Sequence, residues 1–174
     1  MEFSITGLTT SKRTRETHME KRVEALVENR QSKISVNLYE VEQALSQIKE
    51  ILECTGKEIG VTLLDDTGIR QINRDFLQRD RPTNVIAFSM QEGEFGNINP
   101  SILGDIVISA ETAGRDAQAG DMPLSDMIDY LIIHGVLHLL GYDHEKDENE
   151  AWKMRAKEHE IFQLLNGYSL ETGE

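Results

Sequence analysis

Three histidines stand within eleven residues, in the run His134-Gly135-Val136-Leu137-His138-Leu139-Leu140-Gly141-Tyr142-Asp143-His144. His134 and His138 are four apart, so on a helix both rings leave one face. Gly141 follows the last apolar residues of the helical period. A glycine there can take the left-handed conformation that ends a helix and turns the chain back. Tyr142 and Asp143 then return His144 toward the first two rings. Three imidazoles at one point, with a fourth position open, form the donor set of catalytic zinc. Imidazole also suits nickel, copper and iron. The bland alternative is a set of ordinary core histidines. Against it, two imidazoles on an otherwise apolar turn each need hydrogen-bond partners, and one metal serves both. His18, in the N-terminal arm, reads as exposed, and His159, on the last helix, as half-buried; neither is assigned a metal role.

The zinc-peptidase signature H-E-x-x-H-x-x-G-x-x-H shares these offsets at His134, His138, Gly141 and His144. Its glutamate does not match, because Gly135 stands there. That glutamate is the base that takes a proton from the attacking water, and general-base catalysis contributes roughly 10²–10⁴-fold. The ligand set is therefore present and the peptidase base is missing.

Helical periodicity places the pair on a helix from Ser125, its predicted cap, to Leu140, with Asp126 and Asp129 in the first turn, where the dipole favours acids. This helix is apolar nearly all round, which predicts a central buried position. Upstream, Val23–Asn29 alternates like a short strand, with a helix as the alternative. Asn37 is the predicted cap of a helix from Leu38 to Cys54 closed by Gly56. Ile59–Asp65 reads as a buried strand, followed by a helix with Ile69, Ile72, Phe76 and Leu77 on one face and a break at Arg79–Pro82. Val85–Met90 and Leu103–Ser109 read as strands and Ala110–Ala119 as a short helix. A last helix runs from Glu145 to Asn166, with Trp152, Ala156, His159 and Phe162 as its apolar stripe and Gly167 as its stop. This order predicts an α+β domain, with a small mixed sheet of about four strands packed against helices. Residues 1–18 read as a disordered arm or an addition upstream of a start at Met19, and 19–174 as one domain.

The chain has 174 residues, one cysteine and a net charge of −13. One cysteine makes no internal disulfide and no all-cysteine metal cage; Cys54 reads as a small buried residue at a helix end. No segment has the length and apolarity of a signal peptide or a membrane span, so the expectation is a cytoplasmic protein with no membrane role. The acidic balance opposes broad phosphate binding. Yet thirteen of the eighteen Lys and Arg residues fall before residue 86, while residues 86–144 carry nine acids and one base. A basic rim on an acidic molecule is compatible with that distribution.

The run HGVLHLLGYDH resembles the signature of the YbeY family of bacterial metal-dependent endoribonucleases, H-G-x-L-H-L-x-G-Y-D-H, at every fixed position. Asn73, Phe76 and the stretch Asp80-Arg81-Pro82-Thr83-Asn84-Val85-Ile86-Ala87-Phe88 are similar to that family's N-x-x-[YF]…P-T-[DN]-V-L-S-F segment. Leu103-Gly104-Asp105-Ile106-Val107-Ile108 is similar to its L-G-D-[IL]-x-I strand. The resemblance spans roughly residues 23–168. It implies the family's α+β fold with the metal ligands on a central helix, and one Zn²⁺ per chain held by His134, His138 and His144. It implies hydrolysis of single-stranded RNA in 3′-end maturation of small-subunit ribosomal RNA and in ribosome quality control. The implied partners are ribosomal RNA, the small ribosomal subunit, and ribosomal proteins or an assembly GTPase.

One departure stands out. Family members commonly carry an arginine directly after the aromatic residue of the second segment, and here that place is Leu77. Arginine can grip a phosphate by paired hydrogen bonds, and leucine cannot. Arg79 and Arg81 are candidates for that task, the alternative being surface turn charge. Thr83 and Asn84 either flank the substrate cleft or cap a turn. Asp143 either orients a ligating imidazole or closes a helix-end turn. Asp105, mid-strand between apolar neighbours, is expected to be buried against a partner. No residue is identified as general base or nucleophile. Two other functions stay open: a non-catalytic assembly factor with a structural metal, and a metallopeptidase-like hydrolase using another base.

Overall fold

The computed structural model describes residues 26–91 and 98–170. The arm 1–18, Met19, and the first residues of the strand expected from Val23 lie outside them. Nine elements follow in the expected order: β1 (Leu26–Asn29), α1 (Leu38–Ile51), β2 (Glu58–Leu64), α2 (Asp66–Leu77), β3 (Val85–Ser89), β4 (Ile102–Ser109), α3 (Ala110–Ala119), α4 (Leu124–Leu139) and α5 (Glu148–Asn166). The four strands form one sheet in the order β1-β2-β4-β3. β1 and β2 pair in parallel, as do β2 and β4, while β3 runs antiparallel to β4.

Alternation along the strands divides the apolar side chains between two faces. Val61, Leu63, Ile106 and Ile108 join α1, α3, α4 and α5 in the main core. Ile86 and Val107 face the other way and pack on Ile69 of α2. Helix α4 is the centre of the main core: Ile132, Ile133, Val136 and Leu137 are fully buried. Its all-round apolarity leaves His134 as the one partly exposed residue over these turns.

Several local expectations are corrected. Helix α1 ends at Ile51, and the left-handed residue behind it is Glu53, not Gly56. The Asn37 side chain does not cap α1; it donates to Glu40 Oε1 at 2.9 Å. Helix α4 begins one residue before Ser125, with Pro123 at the cap position, and the Ser125 hydroxyl turns to Asp126. On α2, Ile69 is buried but Phe76 is 70 % exposed, its ring edge-on against Phe88 of the edge strand β3. Asp105 is exposed: the α2 side of β4 is covered at Val107 and open one step earlier, where Asp105 lies over Gly60. On α5 the apolar stripe is out of phase with the expected one. Met154, Ile161 and Phe162 are buried, and Trp152 is 69 % exposed. Both stripes obey the three- and four-residue spacing, and the largest aromatic does not mark the inner one. His159 is half-buried, as expected.

Candidate metal centre and cleft

The last two turns of α4 carry His134 and His138 toward one opening. The helix ends at Leu139, and Tyr142 N–H returns to Leu137 O at 3.0 Å. Gly141, at φ 93°, makes the reversal, a conformation that costs a side-chain-bearing residue. His144 then faces the pair. One ligand atom from each of the three rings lies within 4.8 Å of the others. His134 Nε2 and His138 Nε2 are 3.1 Å apart. Two nitrogens on one tetrahedral zinc, with bonds of about 2.0–2.1 Å, stand about 3.3 Å apart, so the spacing fits a shared ion.

Glu158 of α5, which sequence reasoning missed, completes the arrangement. It is 5 % exposed. Its Oε1 accepts from His134 Nδ1 at 2.6 Å, and its Oε2 accepts from the Tyr130 hydroxyl at 3.1 Å. A carboxylate only accepts, so the proton of His134 sits on Nδ1 and the Nε2 lone pair faces the cleft. Burial and the Glu158 charge raise the Tyr130 phenol well above its ordinary value, so it stays a donor. Burial first, and then the His134 and His144 rings, hold His138 below the usual imidazole value, which keeps it in the neutral, ligating form. The signal for Glu158 was in the sequence: a carboxylate in step with Met154, Ile161 and Phe162 on a buried helical stripe.

Asp143 makes the turn contact, one of its two readings. Its Oδ1 accepts from Glu145 N at 2.8 Å, which closes the turn after α4. Gly135 faces the sheet, and a Cβ there would meet Ile106 side-chain atoms at 2.8–2.9 Å. The position that carries the peptidase base has no room for a side chain.

The histidines line a cleft of about 810 Å³. Its opposite wall comes from the end of α2, the turn 79–84 and β3. Leu77, Arg79, Arg81, Thr83 and Asn84 all line it, as does Lys146, a cation sequence reasoning did not single out. The turn is pinned by Asn73, whose Nδ2 donates to Arg81 O at 2.8 Å. Asn84 is committed to structure: its Nδ2 donates to Asp116 and its Oδ1 accepts from Val85 N. On α2 the cations outside the cleft, Arg70 and Arg74, pair with Asp80 and Asp75. Among the described residues Arg79, Arg81 and Lys146 form no ion pair. The cleft thus sets cations that form no ion pair around the three imidazoles, with Asp143 and Glu145 also on its lining, an arrangement suited to an anionic substrate at a metal ion.

The sequence model of the family described as Endoribonuclease YbeY matches residues 11–166. The chain is 47 % identical over 146 residues to the Endoribonuclease YbeY of Syntrophus aciditrophicus, covering 83 % of this chain and 91 % of that one. It is 48 % identical over 137 residues to that of Syntrophotalea carbinolica, covering 78 % and 91 %. A Thermotoga maritima protein solved in solution shares the fold, with a TM-score of 0.59 at 23 % identity over 82 % of this chain and 89 % of that one. With that extent of match on top of the three-histidine cleft, the chain belongs to the YbeY endoribonuclease family.

Proposed function

We propose that this protein is a zinc-dependent endoribonuclease specific for single strands. Its place is the 3′-end maturation of small-subunit ribosomal RNA and ribosome quality control, in the cytoplasm. The observation that carries the reading is the convergence of His134, His138 and His144, with Glu158 fixing one tautomer, in a cleft whose cations are unpaired. When bound, zinc supplies Lewis acidity, lowering the pKa of water toward ~7 and offsetting charge on the phosphorane. The chain's own groups do the rest. Arg79, Arg81 and Lys146 hold flanking phosphates, and Arg79 or Arg81 takes the task that the arginine replaced by Leu77 has elsewhere in the family. Thr83 borders the same wall. Glu158 keeps His134 oriented.

The acidic remainder of the molecule makes free RNA a poor ligand and favours delivery on the small ribosomal subunit, through ribosomal proteins or an assembly GTPase. A metallopeptidase is disfavoured by the packing at Gly135. A purely structural metal is disfavoured because, among the described residues, the convergent set has three ligands, not four.

The test pairs metal content by mass spectrometry with cleavage of single-stranded ribosomal RNA, for the wild type and His138→Ala. About one zinc per chain in the wild type, with zinc and cleavage lost together in the variant, supports the proposal. Zinc without cleavage, even on intact small subunits, favours the assembly-factor reading. Arg79→Ala and Arg81→Ala are expected to lower cleavage at unchanged zinc content, and wild-type activity in both would remove them from the substrate site.

A further inference from the structure

Strand β3 is an edge of the sheet, and among the described residues no strand pairs its outer side. Its register with β4 decides which backbone groups face outward. Asn84 O accepts from Ser109 N and Met90 N donates to Leu103 O, so the even-numbered residues bond inward to β4. The odd-numbered residues Val85, Ala87 and Ser89 then turn their N–H and C=O groups away from the sheet. Val85 confirms the phase, because its outward N–H is taken by Asn84 Oδ1 at 2.8 Å. Val85 C=O and both groups of Ala87 and Ser89 are left, and all three residues line the cleft beside the histidines.

Donor and acceptor on one residue, repeating every ~6.8 Å along a strand, match the edge of another extended polypeptide. A phosphate chain matches only the donors. An added strand running antiparallel to β3 would end beside Val85, where the turn bearing unpaired Arg79 and Arg81 enters. That end would meet positive charge. Val85 and Ala87 point their side chains to the α4 face, so the added segment would cross in front of His134 and His138.

We propose that the outer edge of β3 is a strand-addition site for the extended, acidic C-terminal segment of a protein partner. It shares the cleft and the Arg79–Arg81 turn with the proposed RNA contacts and differs from them in using the backbone edge of β3.

The probe is a fluorescein-labelled peptide of alternating threonine and valine ending in two glutamates, with two versions N-methylated at alternate amides in opposite phase. Titrated against the full chain, the parent peptide should bind saturably. One methylated version should lose at least tenfold in affinity and the other less than twofold, because only one set of amides faces β3. In a 15N spectrum of the wild type, the Ala87 and Ser89 amides should shift and become slow to exchange. Ala87→Pro removes an outward donor while leaving the bonds to β4, and should cost at least tenfold in peptide affinity. The proposal is overturned by no saturable binding up to about 1 mM, by equal losses from both methylation phases, or by shifts confined to Arg79 and Arg81. Shifts at Ala87 and Ser89 with an RNA oligonucleotide and none with the peptide would assign the edge to nucleic acid instead.

Discussion

At the scale of single residues, Glu158 is the group on which the candidate metal centre turns. It lies 24 positions from His134 in the chain and 2.6 Å from its Nδ1 in the fold. Replacing an outer partner of a ligating histidine costs roughly 10–100-fold in metal affinity. Glu158→Gln keeps the shape and an acceptor oxygen but removes the charge, so zinc affinity measured against a competing chelator is expected to fall within that range, with the thermal unfolding of the metal-free chain little changed. Equal affinity in wild type and variant would reduce Glu158 to a core polar group. The histidines themselves were legible, because i, i+4 spacing followed by a glycine turn is local geometry. Glu158 was not, because its partner is on another helix and its helix offered two stripes of equal period. Asp143 kept two readings in the sequence because nearness to a ligand does not fix where a short side chain bonds; in the fold its Oδ1 accepts from the Glu145 N–H.

At the scale of elements, α4 holds two constraints of opposite origin. Gly135 sits where α4 crosses β4, and the Ile106 side chain occupies the space a Cβ needs. Alanine raises helix propensity by about 1 kcal/mol, while overpacking a core costs typically about 1–3 kcal/mol. Gly135→Ala is therefore expected to destabilise by up to about 2 kcal/mol in urea unfolding, although an isolated helix would gain about 1 kcal/mol from it. At the other end of α4, burial, with Asp126 and Glu40 nearby, pushes the Asp129 carboxyl up to about 7. Asn166 lies close enough to favour the charged form, yet its Nδ2 has no hydrogen-bond partner. A carboxyl raised in the folded state binds its proton more tightly there than when unfolded. Its contribution is whole below the unfolded value near 4 and is lost as pH rises through about 7. At about 1.4 kcal/mol per pH unit the loss is at most about 4 kcal/mol. Asp129→Asn should gain on the wild type by about 2–3 kcal/mol in urea unfolding between pH 5 and pH 8, on top of what is already lost between pH 4 and pH 5; parallel stabilities across that range would place Asp129 in effective contact with water. The element order and the buried character of α4 were legible from periodicity and turn residues. The exposure of Asp105 and Phe76 was not, because the reach of α2 over the sheet depends on where the helix sits, which no local pattern states.

At the scale of the molecule, the question is how a chain of net charge −13 holds a polyanion. The answer in this structure is placement. The acidic tract 86–144 is flanked in sequence by Arg79 and Arg81 on one side and Lys146 on the other, and the fold brings those three to one cleft. If RNA meets only these cations, about three phosphates are neutralised, and at about 0.7 per phosphate for a single strand the slope of log affinity against log salt is about −2. Affinity for a single-stranded oligonucleotide should then fall about 20-fold between 50 and 200 mM salt, a mild dependence for a nucleic-acid enzyme. Arg81→Ala should flatten the slope by about 0.7 and weaken binding uniformly across sequences, since a phosphate contact carries no base information. The titration is best read by fluorescence anisotropy with a chelated, metal-free control, because metal–phosphate contact adds an attraction of its own. A wild-type slope of −5 or steeper would bring in more cations than the cleft holds, with the seven basic residues of positions 1–33 as the next source. A slope near zero would leave the cleft cations without a phosphate to hold and return Arg79 and Arg81 to the surface-turn role that the sequence left open.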